Sequence, residues 1–85
     1  MSAFIVLTAS ASVPSSYRGQ YRRVAVLEVE DGMESPPKMI SERARGVIEI
    51  VETWERLHVG KTERGAYQQA LVDAHALARE LNGGE

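Results

Sequence analysis

The segment Tyr17-Arg18-Gly19-Gln20-Tyr21-Arg22-Arg23 holds the densest recognition chemistry in the chain. Guanidinium groups make forked bonds to carboxylate or phosphate, and tyrosine adds contact area with few rotamers to freeze. Tyr17, Arg18, Gln20, Tyr21, Arg22 and Arg23 are therefore candidate partner-binding residues for an acidic protein surface. The same set could stack on and pair with single-stranded nucleic acid. Three arginines are few for tracking a phosphate backbone, so nucleic acid is the alternative partner rather than the first. A second candidate surface is acidic. Glu49, Glu52 and Glu55 recur every third residue, with Arg56 beside them. On a helix they would line one solvent face and pair with Arg45 and Arg56 at three- and four-residue spacing, worth a few tenths of a kcal/mol each.

Catalytic patterns are weaker. Gly60-Lys61-Thr62 looks like the end of a phosphate-binding loop, but the glycine needed five residues earlier is Glu55. Lys61 and Thr62 then read as a turn and a helix cap. His58 and His75 are the two histidines, there is no cysteine, and no carboxylate has ligand spacing to either histidine. A closed metal site needs about four ligands, so no metal is expected. Ser10, Ser12, Ser15 and Ser16 have no base nearby in sequence, and no Gly-x-Ser-x-Gly elbow occurs. The chain is expected to be no enzyme and to carry no cofactor.

Composition narrows the classes further. Eighty-five residues, 44 % hydrophobic and 26 % charged, suit one ordinary globular domain over 1–85. The net charge of −2 does not suggest a general nucleic-acid binder. That sum hides an asymmetry. Residues 1–27 hold Arg18, Arg22 and Arg23 and no acid, whereas 28–85 hold seven basic residues against all twelve acidic ones. The longest apolar run, Ala3 to Leu7, is far short of a membrane span. Small residues at Ala9 and Ala11 resemble a signal cleavage site, but no basic segment precedes the apolar run. A buried strand and a cytoplasmic location are the expectation.

These residues need elements to position them. Phe4-Ile-Val-Leu-Thr8 is apolar on both alternating faces, which predicts a strand over about 3–12. Alternation predicts a second strand over about 20–30, with Arg23, Ala25, Leu27 and Val29 on one face and Arg22, Val24, Val26, Glu28 and Glu30 on the other. The pair reads as a hairpin with a long tip near 13–20. Ser35-Pro36-Pro37 suits a helix start. The three-residue glutamate period then predicts a helix over about 36–58, burying Met39, Ile40, Ala44, Val47, Ile48, Ile50, Val51, Trp54, Leu57 and His58. A second helix is predicted over about 63–81, with Ala66, Tyr67, Ala70, Leu71, Ala74, Leu77, Ala78 and Leu81 on its apolar face.

The expected fold is α+β, an antiparallel β-hairpin followed by an antiparallel helix hairpin (ββαα). A lone hairpin has two unpaired edges, so dimerisation or a docked partner strand is expected to complete the sheet. The functional expectation is a small non-enzymatic protein-binding module, an adaptor or an inhibitor of a larger complex. It would act through the hairpin edge and the Tyr/Arg patch, and its size is one common among products of mobile, phage-like elements. An accessory nucleic-acid-binding protein using the same arginines is the alternative.

Overall fold

In a computed structural model the described residues are 2–11, 20–32, 36–59 and 64–83. Three strands and one helix form in the order β1 (Ser2–Ser10), β2 (Tyr21–Glu30), β3 (Val47–His58) and α1 (Arg64–Leu81). The architecture is α+β. The sheet is antiparallel with order β1-β2-β3, so β2 is central and β1 and β3 are its edges.

The hairpin expected from alternation is present. β1 pairs with β2 without interruption from Ser2↔Glu30 to Ser10↔Arg22. The helix expected over about 36–58 does not form. Residues 36–46 run as bends and turns, and Val47–His58 is a strand paired with β2. Trp54 lies in this third strand, opposite Val24. Two physical causes defeat the helical reading. Val47, Ile48, Ile50, Val51, Thr53 and Trp54 are β-branched or aromatic and suit a pleated surface. The three-residue glutamate period is not a helical face: a bulge keeps Glu49 and Glu52 on one side of the sheet, while Glu55 reaches Arg23 on the other. The β2–β3 register shifts three times, between Arg22 and Val24, Val26 and Leu27, and Glu28 and Val29. Each shift sets an extra β3 residue against β2 and stretches a two-residue repeat towards three. Glu49 thus opposes Glu28 while Glu52 opposes Val26.

Gly46 settles where the strand begins. Its φ of 86° lies in the left-handed region, which a helix interior excludes. The Glu30 N–H donates to its carbonyl at 2.8 Å, and the Val47 N–H donates to Ala44 O at 3.1 Å. The glycine that would weaken a helix therefore turns the chain into β3.

The sheet has two unlike faces. On one, Val24 and Val26 pack against Ala70, Ala74 and Ala78, flanked by Phe4, Val6, Trp54, Leu57, Tyr67, Leu71 and Leu77. The alanines recur every four residues, so they form one stripe along α1 and let its backbone approach the strands closely. Two expected members of this face differ: Ala66 and Leu81 are exposed. The opposite face gathers Ala25, Leu27 and Val29 with Ala3, Ile5, Leu7, Ala9, Val47 and Ile50. Ile40 is the one residue of that cluster from outside the sheet. Ile40 and Trp54, expected together on one helix face, lie on opposite sides of the sheet. No described helix is long and apolar enough to cross a membrane.

Candidate functional site

The two edges of the sheet differ. β3 carries all three register shifts and exposes Glu49, Glu52 and Glu55. Bulges and charges are the usual means of keeping an edge strand from pairing again. β1 has neither: its register is unbroken, and Ser2–Ser10 contains no charged residue.

The hydrogen-bond phase of β1 follows from its end. The Ala11 N–H donates to Tyr21 O at 2.9 Å, so odd-numbered residues of β1 face β2. Even-numbered residues then point their N–H and C=O groups outward. Phe4 shows this directly. Its N–H donates to Asn82 Oδ1 at 2.9 Å, and its carbonyl accepts from Asn82 Nδ2 at 2.7 Å. The Asn82 amide satisfies both groups as a neighbouring strand would. Val6, Thr8 and Ser10 make no such bond with any described residue.

Arg22 stands beside this edge. It lies on the helix-side face with Val24, opposite Ser10, and its Nη2 donates to Thr8 Oγ1 at 3.2 Å. The guanidinium therefore already leans over β1. Arg23 points to the other face, towards β3, where its Nη1 is 3.9 Å from Glu55 Oε1. Both side chains are partly exposed, so this pair contributes at most about 1 kcal/mol. Arg23 Nε is buried without a hydrogen-bond acceptor among the described residues. Successive strand residues point to opposite faces, so Arg22 and Arg23 do not form one patch.

Tyr21 opposes His58 in the ladder, with ring centroids 4.9 Å apart and planes tilted by 53°. Gln20 is exposed beside them, and its carbonyl accepts from the Val59 N–H at 2.8 Å. Tyr17 and Arg18 lie outside the described residues, as do the expected caps Ser35 and Thr62.

The acidic surface expected on a helix is redistributed by the strand. Glu49 and Glu52 share the helix-side face of the sheet, while Glu55 reaches Arg23; Arg56 follows it in β3. No group of three or more His, Asp or Glu side chains among the described residues could hold a metal ion.

Asn82 is the site residue that sequence reasoning missed. As part of Asn82-Gly83-Gly84 it reads only as a helix terminator, and its bonds to Phe4 span 78 positions. No local pattern announces such a contact. No family model matches the chain, and no similar curated protein or solved structure was found.

Proposed function

We propose that this chain is a non-enzymatic protein-binding module that adds a strand to the free edge of β1. The supporting observation is the contrast between the edges: β3 is bulged and charged, while β1 offers the outward main-chain groups of Val6, Thr8 and Ser10. Main-chain bonds along such an edge provide affinity, and flanking side chains provide selectivity. Arg22, held over Thr8, is placed to meet a carboxylate on the incoming strand. Gln20 and Tyr21 stand at the same end. The module acts in the cytoplasm as an adaptor or inhibitor, and its edge takes either a partner strand or a second copy of the chain. The separation of Arg22 and Arg23 onto opposite faces disfavours phosphate tracking, which needs cations along one path.

Proline substitution tests the edge. Thr8→Pro removes one outward donor and leaves the bonds to β2 in place, because proline is tolerated where its missing N–H would face solvent. Affinity capture with the wild-type chain after nuclease treatment is compared with Thr8→Pro and Arg22→Glu. Ile48→Lys on β3 serves as the control. A protein bound by wild type and the control but lost from both edge variants supports the reading. An unchanged set with Thr8→Pro overturns it.

A further inference from the structure

Asn82 bounds the free edge at Phe4, and β1 ends at Ser10. With Phe4 satisfied by the Asn82 amide, the outward groups of β1 beyond it that bond to no described residue belong to Val6, Thr8 and Ser10. Their midpoint is Thr8.

We infer that two copies of this chain pair through β1, antiparallel about a two-fold axis at Thr8, with each Asn82 marking the end of the shared ladder. This rests on the strand-addition reading. In that register Val6 meets Ser10 of the second copy, Thr8 meets Thr8, and Ser10 meets Val6. The outward donors and acceptors of Val6, Thr8 and Ser10 are all used on both copies. Moving the axis to Val6 or Leu7 would bring Phe4 into the ladder, where Asn82 already occupies its groups. Moving it to Ala9 would set Val6 beyond Ser10, where β1 of the second copy ends. Asn82 and the end of β1 together select the register.

Side chains agree with that register. Thr8 opposite Thr8 is a favourable cross-strand pair. On the face away from α1, Leu7 of each copy lies opposite Ala9 of the other, large against small. Ser2–Ser10 brings no charge to the junction, so no like charges stand directly opposite within the paired strands. Ile5, Leu7 and Ala9 are only half-buried in one copy and join a continuous apolar face in two. An isologous contact of this kind closes as a dimer and does not propagate into a fibre.

Sedimentation of the full chain over a wide concentration range tests the pairing. The mass is expected to rise from 9.4 kDa towards twice that value. Amide exchange on the same samples tests the register. Exchange at Val6, Thr8 and Ser10 is expected to slow by about tenfold or more as the dimer forms, while Phe4 is slow throughout. The chain has no cysteine, so a mixture of Leu7→Cys and Ala9→Cys chains should cross-link on oxidation far more than either alone. A 9.4 kDa species at every concentration overturns self-pairing, while capture with Thr8→Pro decides the strand-addition reading separately. A dimer that leaves the Val6, Thr8 and Ser10 amides unprotected places the second copy elsewhere and also overturns the inference.

Discussion

Asn82 ties the last turn of α1 to the first strand through two hydrogen bonds on one main-chain position. Each such bond contributes about 0.5–1.5 kcal/mol net. Asn82→Ala is therefore expected to cost about 1–2 kcal/mol in urea unfolding and to speed amide exchange at Phe4. The same change lengthens the free edge by one residue. Trp54 gives a second residue-scale expectation. It packs against the α1-facing cluster from the edge strand and is only partly buried. Trp54→Ala should cost about 2–3 kcal/mol in the same measurement, below the loss typical of a fully enclosed tryptophan. Arg22 and Arg23 show what residue type alone conveys. The two neighbours have the same chemistry in sequence, yet one bonds Thr8 on β1 and the other faces Glu55 on β3. Their alternation was legible, but their separation as binding groups follows from taking that alternation seriously.

At the scale of elements, β1, β2 and α1 were legible because each keeps one period from end to end. β3 was not, because three register shifts break its two-residue alternation. Its residue types carried the better signal: a run of β-branched and aromatic side chains outweighed the spacing of its glutamates. Gly46 separates the readings by sign. In a helix, Gly46→Ala would stabilise by up to about 1 kcal/mol. At φ 86° the same change forces a side chain into the left-handed region and should destabilise by about 1–2 kcal/mol. Thermal or urea unfolding of this variant decides between them. The β3 side chains give a companion contrast. Ile48 is 50 % exposed, so Ile48→Lys should stay within about 0.5 kcal/mol of wild type. Ile50 packs beside Leu27, and Ile50→Lys should cost about 1–3 kcal/mol because it draws a charge into that apolar cluster.

For the whole molecule, α1 is the one helix among the described residues, and it covers one of the two sheet faces. The alanine stripe of α1 closes over Val24 and Val26, while among the described residues Ile40 is the one from outside the sheet in the opposite cluster. That imbalance was partly legible, since β1 is apolar on both sides in sequence. Where the free edge begins was not, because Asn82 fixes it from 78 positions away. Self-pairing about Thr8 also has an electrostatic consequence. Each Arg22 leans over its own Thr8, so the two-fold axis brings both guanidinium groups to one side of the junction. Their repulsion opposes the dimer and is screened by salt. Dimerisation should therefore strengthen as salt rises, and Arg22→Gln should tighten it by about two- to fivefold and flatten that dependence, given the size of exposed charge interactions. An acidic partner strand answers to the opposite sign. It is attracted by Arg22, so its complex weakens with salt and with Arg22→Gln. Sedimentation for the dimer and titration calorimetry for the captured partner, each at low and high salt, measure the two slopes. Slopes of the same sign would mean that Arg22 does not stand at a shared edge, whereas opposite slopes make it the group by which an acidic strand displaces the second copy.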